Sequence, residues 1–335
     1  MPDLTLNPCT GCVAQSAYSK LLLSSDSADF TKSGGLAYRL YFLGENIKKY
    51  VRKRDIQRII GNLWRVPESV FASQSLVYGT VYFAMNAGEM AVLAPYLVGA
   101  LASGSGESGD YEPDSCPSAF HLLILRDYGI FKVTTCHVAS WRVDSRSLQF
   151  REDSLADMVV LAVNVIAADR TLYTDDSNWP VGDEPDLGTT AAYNPYFFRW
   201  STLTMRTSVD YSAYCKSVRL VVDKKVMPRY RMSSTPSQFC SMGRDVDLEV
   251  GLDWNSTTKA LIEQATDLSG SVKFANDESA TCSTQFNFSS LIAVDEDPVS
   301  PNKTSDVEWS VKNIAAADDP DNDEFDITIT NDATV

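Results

Sequence analysis

The chain is 335 residues long, 44% hydrophobic and 10% aromatic, enough apolar material for two packed domains and too much for a disordered chain. Its formal charge of -15 excludes a protein whose main task is to grip DNA or an anionic membrane surface.

Residues 1–35 read as a polar leader or arm. With no basic segment ahead of an apolar one, no secretory signal is expected. Cys9 and Cys12 form a CxxC, without the second pair that a four-cysteine zinc site needs and without the strand-to-helix setting of a redox pair. The seven cysteines are odd in number and irregularly spaced, so reduced thiols are expected.

The run KKYVRKRDIQR (48–58) concentrates Lys48, Lys49, Arg52, Lys53, Arg54 and Arg58. It reads as a solvated face or as a contact for a neighbour's acidic surface; a nucleic-acid patch is the alternative. Next, LVYGTVYFAMNAGEMAVLAPYLVG (76–99) opens as an alternating strand with Val77, Gly79, Val81 and Phe83 on one face. Asn86 then offers a helix N-cap, with Glu89 at the capping-box position. Met90, Leu93 and Leu97 follow at helical spacing and Gly99 closes the segment. Glu89, Pro95 and the glycines argue against a membrane span here. The stretch 102–118 reads as a flexible Gly/Ser loop, and 121–143 as alternating strand.

VNVIAADR (163–170) is echoed by VKNIAAADD (311–319), with Ile166 falling on Ile314 and Val163 on Val311. The echo extends upstream. In RDVDLEVGLDWNSTTKALIEQATDLSG (244–270), Val246, Leu248, Val250, Leu252 and Trp254 alternate, Asn255 and Ser256 supply cap oxygens, and a helix stripe runs to Gly270. The order strand, cap, helix, glycine is thus spelled twice. The chain therefore divides into a leader (1–35), a first unit (36–172), an acidic proline-containing linker (173–198) and a second unit (199–335). The expected fold class is mainly β with short helices, as two tandem domains with one flanking helix each.

No chemistry is spelled out. His121 and His137 lie apart, with no cysteine or carboxylate cluster around them, and Cys136 points to the opposite strand face from His137. The glycine-rich stretch 104–109 lacks the Gly-Lys-Ser/Thr ending of a phosphate loop. The acidic run 318–326 begins with calcium-loop spacing but lacks the glycine and glutamate that complete it. No catalytic, cofactor-binding or metal-ligating residue is expected. From Leu291 to the end, twelve acidic residues face two lysines.

Three stretches carry a family resemblance: CKSVRLVVDKKVMPRYRM (215–232), GRDVDLEVGLDWNSTTKALIEQA (243–265) and VEWSVKNIAAADDPDNDEFDITITND (307–332). Together they resemble the tail tube proteins of long-tailed bacteriophages, with KKVMPRY standing where the family carries an asparagine turn. The first half matches more loosely, through IIGNLWRVPESV (59–70) and YGTVYF (78–83).

The resemblance implies tail-tube-like β-sandwich or half-barrel domains. It implies an enzymatically inert virion protein that is assembled in the host cytoplasm into stacked rings and conducts DNA without binding it specifically. A duplicated unit implies three chains per ring with pseudo-sixfold symmetry; a six-chain ring is the alternative. Other tail proteins are the expected partners, and no membrane insertion is expected. Lys48, Lys49, Arg52, Arg54, Asp319, Asp321, Asp323 and Glu324 are the candidate contacts between subunits or rings. A tail-end hub or terminator ring is the second reading, and a β-rich hydrolase the third.

Overall fold

A computed structural model describes residues 20–27, 30, 37–55, 70–99, 101–105, 108–111, 118–126, 129–146, 157–173, 194–205, 209–253, 255–258, 269–293, 308–316 and 325–331. The first half supplies β1 (Lys20–Ser24), β2 (Tyr38–Leu40), β3 (Phe42–Glu45), β4 (Lys48–Asp55), β5 (Val70–Ala84), helix α1 (Ala87–Leu97), β6 (Leu101–Ser105), β7 (Ser108–Tyr111), β8 (Phe120–Arg126), β9 (Gly129–Arg146) and β10 (Val160–Tyr173). The second half supplies β11 (Phe197–Met205), β12 (Val209–Asp210), β13 (Cys215–Asp223), β14 (Val226–Arg229), β15 (Gln238–Ser241), β16 (Asp245–Asp253), β17 (Gly270–Ala275), β18 (Cys282–Phe288), β19 (Ser290–Ala293), β20 (Glu308–Ala316) and β21 (Phe325–Asn331). A second helix begins at 256–258. The fold is mainly β, built from antiparallel pairs, with few helices.

Two large sheets share one apolar core. The main sheet follows the path β19-β20-β16-β13-β9-β10-β5-β3, with β4 also on β5 and with β8, β1 and β2 branching from β9. The second sheet runs β12-β11-β17-β18-β21-β7-β6. Period-two alternation explains which faces meet. Val77, Val81 and Phe83 on β5, and Val246, Leu248, Val250 and Leu252 on β16, are all buried, while Tyr78, Asp245 and Glu249 face outward. Trp141 of β9 sits at the centre, its ring 5.8 Å from Phe286 and 6.2 Å from Phe325 of the opposing sheet.

Helix α1 lies within this core. Ala87, Met90, Ala91, Val92, Leu93, Ala94 and Leu97 are all buried, so the helix is apolar nearly all round and the Met90–Leu93–Leu97 stripe is only part of its buried surface. Pro95 cannot donate to the Ala91 carbonyl; the Tyr111 hydroxyl, arriving from β7, donates to it at 3.4 Å. The last carbonyls are met from distant strands. Lys224 Nζ donates to Tyr96 O at 2.7 Å, and Trp141 Nε1 donates to Leu97 O at 3.0 Å.

Two local expectations change. Within the stretch expected as a Gly/Ser loop (102–118), β6 and β7 pair with each other, because β7 finds the open edge of β21, with Gly109 opposite Ile329 and Tyr111 opposite Ile327; 106–107 and 112–117 lie outside the described residues. Ser103 adds a cross-strand bond to Asp110 at 2.6 Å. The leader is also not all arm: Leu21, Leu22 and Leu23 of β1 are buried and pair with β8. The residues before β1 lie outside the described residues.

The acidic linker also differs at its end. Tyr196, within 173–198, is fully buried, with its hydroxyl 3.0 Å from Thr284 Oγ1.

Candidate assembly site

The two halves of the main sheet repeat one pattern. The second half contributes β19-β20-β16-β13 and the first contributes β9-β10-β5-β3, in the same direction along the sheet. Val163 stands opposite Val81, and Val311 stands opposite Val250. Five residues beyond Val81 and Val250 come Asn86 and Asn255. Each caps a helix through its Oδ1, which accepts from Glu89 N at 2.9 Å and from Thr258 N at 3.0 Å. The same strand pair, register and cap therefore occur twice.

The capping boxes differ in one residue. Thr258 closes its box, its Oγ1 accepting from Asn255 N at 2.9 Å. Glu89 instead accepts from Tyr41 N at 2.6 Å and from Asn86 Nδ2 at 3.0 Å. The carboxyl thus stays on the side chain of its cap residue and also reaches the connection between β2 and β3. Burial is the dominant influence on it and pushes its pKa up to about 8, against the lowering effect of those two hydrogen bonds.

Between the repeats the sheet is continuous. β13 pairs with β9 from Ser217 opposite Arg146 to Asp223 opposite Ser140, and Lys224 N extends the ladder to Ala139 O at 2.9 Å. On the solvent face Arg219 approaches Asp144 across this junction at 3.5 Å and Glu249 on its other side at 3.7 Å, while Arg142 meets Asp144 at 2.8 Å. These pairs are exposed, so they match register more than they add stability. Further along that face, Thr80 Oγ1 and Asn164 Oδ1 lie 2.7 Å apart, and Asn164 Nδ2 donates to Ser140 Oγ at 2.7 Å.

This arrangement leaves two different strands at the ends of the path, β3 with β4 at one and β19 at the other. The basic run falls on the first. Lys48 and Lys49 are exposed, with Lys49 bound to Asp169 at 2.5 Å. Tyr50 stacks on Tyr78 with ring centroids 4.0 Å apart. Arg52 and Arg54 lie on the same strand, opposite Gln74 and Phe71. The structure thus gathers these four basic positions on one terminal strand, whereas Asp319, Asp321, Asp323 and Glu324 lie outside the described residues.

The edge is held tightly to β5 at Gly79, where an added Cβ would lie 2.7 Å from the Ile47 nitrogen and 2.9 Å from the Asn46 carbonyl carbon. Gly79→Ala must therefore push the β3–β4 backbone away, at an expected cost of about 2–3 kcal/mol from strain and lost packing around buried Ile47. A denaturation midpoint unchanged from wild type would contradict that close approach.

The titratable groups elsewhere have structural surroundings. His121 Nδ1 accepts from Thr135 N at 3.1 Å, and burial, then the Lys132 charge, holds its pKa below the usual value. His137 lies against Phe239 with centroids 4.9 Å apart. An open cleft of about 300 Å³ is lined by Phe198, Arg199, Leu203, Cys215, Val218 and Val272, among others. Burial pushes the Cys215 thiol up to about 12, which leaves it a thiol at neutral pH. The described cysteines Cys136, Cys215, Cys240 and Cys282 form no disulfide with one another. Among the described residues no group of three or more His, Cys, Asp or Glu side chains is placed to hold a metal, and no helix is long and apolar enough to cross a membrane.

No protein-family model matches this chain, and no curated protein matches it at a significant level of similarity.

Proposed function

We propose that this protein is a structural subunit that assembles into rings, and that the rings stack as the tail tube of a long-tailed phage. The carrying observation is the internal β9–β13 junction, at which one four-strand repeat joins the next edge to edge and in one direction. A unit joined to its own copy in this way leaves unlike ends, and unlike ends give head-to-tail contacts, which close into rings when the rotation between copies closes. Edge strands left open invite aggregation, and pairing them between copies removes that hazard.

With two units per chain, three chains supply six. On this reading each unit is a tail-tube-like half-barrel, and the ring's solvent-facing sheet, with its arginines paired to carboxylates, gives passing DNA little net positive charge to release counterions against. The resemblance of 215–232, 243–265 and 307–332 to tail tube proteins supplies the virion setting.

Pelleting in an ultracentrifuge tests the reading. Purified protein is expected to pass from soluble to pelletable material as its concentration rises, as stacking of rings requires. Protein that stays monomeric and in the supernatant at every concentration contradicts it.

A further inference from the structure

The β14–β15 hairpin stands apart from both large sheets as a two-stranded ribbon. Its inner side is set by contacts with its surroundings. Phe239 lies against His137 of the main sheet, with centroids 4.9 Å apart, and Ser241 Oγ donates to Lys224 O at 2.8 Å. The far end is tied to β5, where Tyr230 donates its hydroxyl to Ser75 O at 3.0 Å and Ser75 N donates to Ser234 O at 2.7 Å. Neighbours along a strand point to opposite faces, so Cys240 and Met242 are left on the outer side. Met227, directly opposite Cys240, joins them from across the ribbon.

The register brings these three sulfurs within reach of one another. Met242 N donates to Lys225 O at 3.3 Å, so by alternation Met227 and Cys240 form a hydrogen-bonded pair, with Cα atoms about 5.5 Å apart. Pro228, which has no N–H to give, falls in the non-hydrogen-bonded pair beside it. Met242 follows Cys240 on the same face, about 7 Å along the strand. Two flexible thioethers therefore flank one thiol. Met227 and Met242 are 56% and 65% exposed and Cys240 is partly exposed, whereas Met85, Met90 and Met205 are buried. The thiols of Cys136, Cys215 and Cys282 each donate to an oxygen of the protein. The Cys240 thiol makes no such bond among the described residues.

We propose that Met227, Cys240 and Met242 form a binding site for Cu(I) on the outer face of this hairpin. Thiolate and thioether sulfurs select Cu(I) over harder ions, and Zn(II) takes four ligands in a closed protein site. Binding replaces the thiol proton. Cys240–SH and Cu(I) give a Cys240–S–Cu bond and a released proton, and a lone pair from each thioether completes a three-sulfur set. One thiolate and one Cu(I) leave the site without net charge. Lys225, on the same face, is paired with Asp245 at 2.7 Å. Met227 and Cys240 meet only through the hairpin, so no metal-binding spacing marks them in the sequence. Ring assembly is neither required nor excluded by such a site.

The test is anaerobic titration of the full-length chain with Cu(I) presented as its bicinchoninate complex, whose colour fades as the protein withdraws the metal. Cys9 and Cys12 offer a second pair of thiols, so the reference protein carries Cys9→Ser and Cys12→Ser. It is expected to withdraw one Cu(I) per chain, with three sulfur neighbours around the copper by X-ray absorption. Cys240→Ser is expected to abolish the withdrawal. Outer-shell groups alone are worth about 10- to 100-fold in metal affinity, so Met227→Leu or Met242→Leu, each losing a direct ligand, is expected to weaken binding at least about tenfold. Excess Zn(II) is not expected to displace the copper. All three side chains are at least partly exposed, so the variants are expected to keep the circular dichroism of the reference.

Copper held as tightly by the combined Met227→Leu/Met242→Leu protein as by the reference would overturn the site, since a thiol alone then binds it. Withdrawal that survives Cys240→Ser would overturn it by placing the metal elsewhere. A reference protein that withdraws no Cu(I), or that gives it up to Zn(II), would overturn it as well.

Discussion

Trp141→Ala is expected to lower folding stability by about 4 kcal/mol, within the range for removing a buried tryptophan. The ring is fully buried and spans the space between the two sheets, against Phe286 and Phe325. Alanine would leave a cavity that the paired strands around it cannot collapse to fill. It would also leave the Leu97 carbonyl, at the end of buried α1, without the indole N–H that donates to it at 3.0 Å. Trp141→Phe separates the two losses: most packing is kept and the donor is lost, for an expected cost of about 1–2 kcal/mol. Urea denaturation monitored by circular dichroism would measure both. Equal effects of the two substitutions would mean that the hydrogen bond, and not the packing, dominates.

Glu89 should make stability fall as pH rises through neutrality. Its carboxyl, ordinarily near 4.5, is pushed up to about 8 by burial. Between those values the native state holds a proton that the unfolded state has released, so the group's contribution is complete below about 4.5 and is lost as pH climbs to about 8. From pH 6 to pH 9 the expected loss is on the order of 2–3 kcal/mol, at about 1.4 kcal/mol per pH unit over the titrating range.

Glu89→Gln is expected to flatten this slope, at the cost of the bond that Glu89 accepts from Asn86 Nδ2. The measurement is the urea midpoint of both proteins across that pH range; parallel curves would show that Glu89 does not carry the dependence. The same carboxyl anchors Tyr41 N, directly before β3 of the terminal edge.

Much of the main sheet is legible in local sequence. The alternation of Val77, Val81 and Phe83, and of Val246 through Leu252, marks the buried faces of β5 and β16. The caps Asn86 and Asn255 mark where strands give way to helices. Even the echo of 163–170 in 311–319 has a counterpart in space, since Val163 and Val311 face equivalent valines.

What local sequence leaves out is decided by distant partners. The β6–β7 hairpin is rich in glycine and serine, and exists as strand because β21 offers it an edge. β1 is a short apolar run inside a polar leader, and pairing with β2 and β8 makes it a core strand. Glu89 has the spacing of a capping box, yet a backbone N–H from 48 residues away claims its carboxyl. The β9–β13 seam joins strands whose own alternation says nothing of which neighbour each will take.

At the terminal edge, composition finds the basic residues of β4 but not their place at the end of a sheet. That place follows from counting strands along the path.

The most direct measurement of the central claim is negative-stain electron microscopy of the purified chain at rising concentration. The account predicts hollow tubes with a regular axial repeat, whose end-on views show six lobes from three chains. Particles that remain single, unassembled chains at every concentration would contradict it.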